Sequence, residues 1–125
     1  MTAWHWFRQR PLLYLWLPVI VWMGLIFYLS AQPDLPTPSS GLATRLISSA
    51  AHVFLFGVLA WLWARALGPR RYGLAVAFTL TLLYALSDEF HQAFVPGRDP
   101  DVWDVACDLL GAALALFGWS RFRRG

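Results

Sequence analysis

The chain has 125 residues and a formal net charge of +3, and 58% of its residues are hydrophobic while only 14% carry a charge. Soluble domains of this size normally carry fewer apolar residues, so we expect an integral membrane protein with a single domain, residues 1–125. All ten basic residues are arginine, but no basic stripe or aromatic RNA platform accompanies them, which excludes nucleic acid as an expected partner.

Four apolar segments are long enough to cross a bilayer, since a spanning helix needs about 20 mainly apolar residues. The loops between them, AQPDLPTPSSG, LGPRRYG and VPGRDP, contain the proline and glycine typical of turns. The predicted fold class is therefore all-α, a polytopic membrane protein built as a four-helix transmembrane bundle. The predicted spans are Pro11–Ser30, which is too long for a usual secretory signal, Ala50–Leu67 with an earlier start near Leu42 as the alternative, Tyr72–Ser87 and Val102–Ser120.

The arginines predict the orientation of the bundle, because cytoplasmic loops near the ends of spans keep an excess of Arg and Lys. With four spans, only Arg45 and Arg98 fall on the outer side, together with all seven acidic residues. Both termini are therefore expected in the cytoplasm. The arginines predicted on the cytoplasmic side are Arg8, Arg10, Arg65, Arg70, Arg71, Arg121, Arg123 and Arg124.

Six of the seven acidic residues lie in one segment, SDEFHQAFVPGRDPDVWDVACD, which joins the third span to the fourth. On the fourth helix Asp101, Asp104 and Asp108 share one face. Small residues let helices approach closely, so we expect this acidic face to point into the bundle. The small residues that continue the face inward are Gly111, Ala115 and Gly118.

Other polar groups are predicted to meet these acids at the outer end. Thr81, Tyr84 and Asp88 share a face of the third helix, and His52 lies near the outer end of the second. Ionisable groups within a bilayer are costly unless they are paired, and they commonly mark a functional site. The predicted ligand-binding or polar cluster comprises His52, Asp88, Glu89, His91, Gln92, Arg98, Asp101, Asp104 and Asp108.

Three stretches of the sequence resemble the VanZ-like family of small membrane proteins, which is named for a protein associated with teicoplanin resistance. These stretches are LSAQP, AHVFLFGVLAWL and above all YALSDEFHQAFVPGRDPDVWDVACDLLGAALAL. Family members often carry a basic residue shortly before the histidine of the second span, whereas here the nearest one is Arg45, one turn further out. The resemblance implies a multi-pass protein of the bacterial cytoplasmic membrane and cell envelope that lowers susceptibility to a glycopeptide.

Three roles stay open for the polar cluster. Carboxylates and imidazoles suit a divalent metal, although the spacing matches no established metal signature and no cofactor is expected. A structural clasp would join His52, Gln92 and Asp104 by hydrogen bonds across helices, with arginines neutralising the remaining acids. A ligand site would use Arg98, whose planar guanidinium in an exposed turn suits phosphate or carboxylate.

Two classes of function follow from the cluster. The first is a non-enzymatic envelope protein that binds an amphiphile, a lipid headgroup or a lipid-linked envelope precursor at its outer face. The alternative is a membrane-embedded hydrolase or transferase acting on a phosphorylated lipid, because a histidine beside a carboxylate is the usual general base. The expected partners are membrane lipids or those precursors, and association into homo-oligomers stays open.

Overall fold

The computed structural model describes residues 11–32 and 41–125. Its α-helices are α1 (Leu12–Ser30), α2 (Gly41–Leu67), α3 (Gly73–Gln92) and α4 (Val102–Arg124). All four are long and apolar enough to cross a membrane. The described residues contain no strand, so the predicted all-α class is confirmed.

Large apolar side chains cover the outside of the helices. Soluble monomers rarely expose contiguous apolar surface on this scale, whereas lipid tails solvate such side chains well. The exterior therefore suits a bilayer. Examples that are more than half exposed are Ile20 (62%) on α1, Phe54 (62%) on α2, Leu83 (57%) on α3 and Leu114 (58%) on α4.

Three helices are longer than the most conservative sequence prediction, and one of them is α4, which ends at Arg124 and not at Ser120. α2 begins at Gly41, which agrees with the earlier of its two predicted starts, and α3 continues past its predicted end at Ser87. The reason for the longer α3 is that Asp88, Glu89 and Gln92 are buried within the bundle. Charge at the end of an apolar run thus marks a polar interior here and does not mark a loop.

The connections use the turn residues expected from the sequence. Gly68 ends α2 with a φ of 70° and donates its N–H to the carbonyl of Ala64, 3.1 Å away, which is a left-handed helix cap. Gly97 follows Pro96 with a φ of 80° in the turn that leads towards α4. Asp101 caps α4, since its carboxylate accepts the N–H of Trp103 at 2.9 Å.

Helix α2 is the centre of the bundle and contacts each of the other three helices, α4 most extensively. The close approach of α2 and α4 depends on Gly57 and Gly111, because a Cβ on Gly111 would overlap the carbonyl oxygen of Val53. The prediction that small residues bring the acidic helix close to a neighbour therefore agrees with the packing. Two buried clusters fill the rest of the interior, one centred on Leu15, Val19, Phe56 and Leu59 and the other on Ala60, Ala64, Ala112 and Leu116.

Helix α1 is attached to its neighbours by side chains that donate hydrogen bonds to backbone carbonyls of the facing helix. The Tyr84 hydroxyl donates to the carbonyl of Met23 at 2.6 Å, and the Trp22 indole donates to that of Leu55 at 2.8 Å. Pro18 has no N–H and leaves the carbonyl of Tyr14 without its usual helical donor. The guanidinium of Arg65 donates to that carbonyl at 3.2 Å.

The helices run alternately up and down, so their ends form two contrasting surfaces. At one end lie Ser30, the first turns of α2 and α4, the last turn of α3 and the 93–101 loop; we call it the polar end. At the other end lie Arg65, Arg70, Arg71, Arg121, Arg123 and Arg124; we call it the arginine end. Arg8, Arg10 and Asp34, which entered the predicted charge distribution, lie outside the described residues.

Candidate functional site

His52 occupies the middle of the polar end, between two carboxylates of α4. Its Nδ1 lies 2.7 Å from Oδ1 of Asp108, and its Nε2 lies 3.7 Å from Oδ2 of Asp104. The two acids are one helical turn apart and therefore face the same ring. Because Gly111 lets the two backbones touch one turn below, these short side chains can reach across to α2.

The pair formed by His52 and Asp108 is shielded from solvent on the Asp108 side, where the residue is 0% exposed. An ionised carboxylate only accepts hydrogen bonds, so Nδ1–H of His52 donates and Nε2 is the nitrogen left to exchange a proton. The Phe56 ring, stacked 6.3 Å from the imidazole, packs beneath it. The second oxygen of Asp108, Oδ2, is buried and has no hydrogen-bond partner among the described residues.

Three polar side chains of α3 enter the same interior. The Gln92 amide donates to the Ser30 hydroxyl at 2.8 Å, and Ser30 also interacts with Asp88. Glu89 accepts the backbone N–H of Asp101 at 2.9 Å through Oε2, whereas its Oε1 is buried without a partner in the described part of the chain. Glu89 therefore fixes the start of α4 and keeps one oxygen unused.

The structure thus changes the membership of the predicted clasp. Gln92 bonds α1 through Ser30 and does not bond Asp104, and the nearest carboxylate to His52 is Asp108. Asp104 takes part at the longer distance of 3.7 Å. The interhelical polar contacts that were predicted exist, but with these different partners.

Arg98 differs from the exposed turn residue that the sequence predicted, because it is half-buried. Its Nε is buried and has no hydrogen-bond partner in residues 11–32 and 41–125. Within 4.0 Å, the ion pairs of those residues both involve His52, so neither Arg98 nor Arg45 neutralises an acid by direct contact. Arg98 and His52 interact electrostatically with Asp88 at longer range.

His91 lies at the edge of this group. Its ring stacks on Phe27 with 4.3 Å between centroids and 14° between planes, and it interacts electrostatically with Asp88. Its Nδ1 is buried and has no partner within the described residues. The stacking holds the imidazole against α1 while leaving its polar atom unused.

A cavity of about 390 Å³ opens beside Asp104. Residues of the first turns of α2 form one wall, and residues at the start of α4 and just before it form the other. Its lining residues are Gly41, Thr44, Arg45, Ser48, Ser49, Asp99, Asp101, Trp103 and Asp104.

Most of the lining residues of this cavity were not in the predicted cluster. A signal was present in the sequence, since Gly41, Arg45 and Ser49 recur every four residues. It could be used only if α2 was known to begin at Gly41 and to face the start of α4.

The polar end provides no obvious metal centre. In the described ranges, no group of three or more His, Cys, Asp or Glu side chains is arranged to hold a metal ion. Cys107 is buried beside the acidic face.

Comparison with known proteins gives a family match over most of the chain. A family model described as VanZ/LLP1 matches residues 15–123. An uncharacterized protein of Schizosaccharomyces pombe is 30% identical over 99 residues, which cover 78% of this chain and 57% of that protein. The chain thus spans a little over half the length of this relative. No solved structure matches the chain.

Proposed function

The chain belongs to the VanZ/LLP1 family, and from the geometry of its polar end we propose that it binds the polar headgroup of a membrane amphiphile. The site consists of the cavity beside Asp104, which we call the headgroup pocket, and the polar side chains beneath it. Family membership and four span-length helices make this a multi-pass membrane protein of the VanZ type. The binding of a headgroup at the polar end is our proposal.

The observation that carries the proposal is a set of buried polar atoms without partners among the described residues. The described residues contain five such atoms, and four of them belong to the polar end: Oε1 of Glu89, Nδ1 of His91, Nε of Arg98 and Oδ2 of Asp108. The fifth, Nε1 of Trp63, lies elsewhere on α2. Each buried polar group left unsatisfied costs about 1–3 kcal/mol, so folding alone does not account for keeping four of them together. A headgroup with both donors and acceptors would offer partners to such a set.

The position of these atoms favours an amphiphile over a soluble ligand. The polar end closes a bundle whose sides are apolar, so it lies where lipid headgroups begin. The fungal relative also favours a ligand that bacteria and fungi share, such as a membrane lipid. In a bacterial cytoplasmic membrane, lipid-linked envelope precursors and susceptibility to teicoplanin come within the same proposal, because both concern amphiphiles at the envelope surface.

We further propose that the polar end faces away from the cytoplasm. Six described arginines lie at the arginine end and only Arg45 and Arg98 at the polar end, which is the asymmetry expected when the arginine end is cytoplasmic. In a Cys107→Ala background, Asp99→Cys should react with a membrane-impermeant maleimide added outside intact cells, and Arg71→Cys should not. Both positions are exposed, so a reversed pattern would contradict the orientation.

Arg98 variants test the headgroup proposal. Arg98→Ala should weaken lipid binding by about 1.5–3 kcal/mol, the value of a hydrogen bond to a charged group. Arg98→Lys should weaken it less, because a single ammonium cannot reproduce the planar fork. The stability of Arg98→Ala should change little, since the variant removes a buried Nε that has no partner among the described residues.

The measurement compares bound phospholipid and melting temperature for purified variants in one detergent. Arg123→Ala is the matched control, because Arg123 is an exposed arginine at the opposite end. A folded Arg98→Ala protein that retains as much lipid as the wild type would sink the proposal.

A second candidate function, hydrolysis or transfer of a phosphorylated lipid headgroup, is favoured by the environment of His52. A carboxylate on Nδ1 orients an imidazole so that Nε2 can take a proton from water or a hydroxyl, which is general-base chemistry. Nε2 lies 3.7 Å from Asp104, which also lines the headgroup pocket. With catalysis, His52→Asn, whose side-chain amide can still donate to Asp108, should abolish phosphate release and retain the lipid. With binding alone, neither protein should release phosphate.

A further inference from the structure

The two walls of the headgroup pocket carry opposite charges. The α2 wall has the guanidinium of Arg45 and several hydroxyl groups, whereas the facing wall has the carboxylates of Asp99, Asp101 and Asp104. In the described part of the chain, Arg45 forms no ion pair within 4.0 Å with any of these acids. The pocket therefore holds separated charges around a space of about 390 Å³.

We infer that the headgroup is zwitterionic and carries a primary ammonium, with its phosphate against Arg45 and its ammonium against the aspartates. This inference rests on the proposed headgroup function and names the class of lipid that the same site takes. Phosphatidylethanolamine is the simplest lipid with this chemistry.

The α2 wall of the pocket carries donors that suit a phosphate. The Trp103 indole donates to the Ser49 hydroxyl at 2.9 Å, and the guanidinium of Arg45 lies 5.4 Å from the centre of the same indole ring. The face of the indole ring thus positions the guanidinium, and the N–H groups at the edge of the guanidinium are left to bind an anion. Because the Ser49 oxygen already accepts, its own O–H is available to donate to a phosphate oxygen.

The facing wall of the pocket carries carboxylates that suit a cation. Asp101 uses Oδ1 to cap α4, and Asp104 approaches His52 through Oδ2. Glu89 lies behind Asp101, is only 7% exposed and keeps Oε1 without a partner in the described residues. The carboxylates of the three aspartates that line this wall can accept from an ammonium.

The charges that line the pocket predict different affinities for headgroups of similar size. Three aspartates oppose one arginine in the pocket, so an anionic headgroup such as that of phosphatidylglycerol meets an excess of negative charge. Phosphatidylcholine is zwitterionic but has no N–H to donate to a carboxylate. A primary ammonium supplies charge and three donors, and a pocket of this volume falls within the usual range for small-molecule sites, roughly 300–1,000 Å³.

The test is native mass spectrometry of the full-length chain in a nonionic detergent, equilibrated with equal amounts of the three phospholipids bearing identical acyl chains. The wild type should bind phosphatidylethanolamine about tenfold or more tightly than phosphatidylglycerol, with phosphatidylcholine also weaker. Replacing Asp101 and Asp104 together by Asn should remove the preference, because Asn can still cap α4 but carries no charge. Arg45→Gln should weaken all three lipids, whereas the control Arg123→Gln should weaken none.

The possible failures are distinguishable. If the wild type binds phosphatidylglycerol at least as tightly as phosphatidylethanolamine, the inference of a zwitterionic headgroup is wrong, but the proposed headgroup function is not contradicted. This comparison uses only the wild type and does not depend on the folding of a variant. Free phosphoethanolamine bound as tightly as the lipid would overturn the membrane lipid as the ligand. A folded wild type that retains none of the lipids would contradict the proposed function itself.

Discussion

Replacing Gly111 by alanine is expected to push α4 away from α2 and to destabilise the protein by at least about 1–3 kcal/mol, the usual effect of overpacking a well-packed interior. The added Cβ would overlap the carbonyl oxygen of Val53 and come within 3.0 Å of its Cα. A helix backbone cannot turn aside as a flexible side chain can. The two helices must therefore separate.

The separation should also reach the polar end. Val53 is adjacent to His52, and Gly111 lies one turn from Asp108, so moving the backbones apart lengthens the 2.7 Å contact between these side chains. Lipid retention should fall together with the melting temperature. Both are measured on purified protein in the same detergent.

Gly24→Ala provides the matched control. A Cβ at Gly24 would meet nothing within 4 Å, and alanine is a better helix former than glycine by about 0.5–1 kcal/mol. This variant should be as stable as the wild type or more stable. If Gly111→Ala melts at the same temperature as Gly24→Ala, the close α2–α4 contact is not what assembles the site.

Asp108→Leu is expected to have the second large effect. The residue is 0% exposed and accepts from His52 at 2.7 Å, so leucine would leave a buried imidazole N–H without its acceptor. Losing one partner of a buried polar pair costs about 1–3 kcal/mol, and about 3–5 kcal/mol where the remaining group is charged. We expect a clear fall in melting temperature and the loss of lipid binding.

Asp108→Asn separates hydrogen bonding from charge. The Asn carbonyl can still accept from Nδ1–H of His52, so most of the stability should remain. An acid on the pocket wall that is exposed, Asp99, serves as a control, since Asp99→Leu should leave the melting temperature nearly unchanged. Equal melting temperatures for Asp108→Leu and Asp108→Asn would show that the contact with His52 does not hold α2 and α4 together.

Much of the architecture could be predicted from the sequence, because the signals concerned are local. A run of apolar residues predicts each helix, and the spacing of Asp104, Asp108 and Gly111 predicts one face of α4. Turns are predicted by two pairs of residues, Pro96 with Gly97 and Gly68 with Pro69. None of these inferences requires knowledge of which helices meet.

The partners within the polar end could not be predicted, because they depend on how deeply each helix sits against the next. No pattern in the sequence predicted that the Ser30 hydroxyl would accept a hydrogen bond from Gln92, which is 62 positions away. Arg98 was expected in water, yet the turn that carries it folds against the bundle and buries Nε. The Trp103 ring positions Arg45 on the pocket wall, which is a contact between α2 and α4 that no local pattern indicates.

The most direct test locates the lipid without changing the protein. A phospholipid carrying a diazirine next to its glycerol can be photocrosslinked to the full-length wild type, and the modified residues can be mapped by peptide mass spectrometry. A headgroup site at the polar end predicts adducts concentrated in residues 41–53 and 94–108, which an excess of unlabelled lipid should suppress. Adducts concentrated at the arginine end, in residues 65–72 and 119–125, or labelling that unlabelled lipid does not suppress, would contradict it.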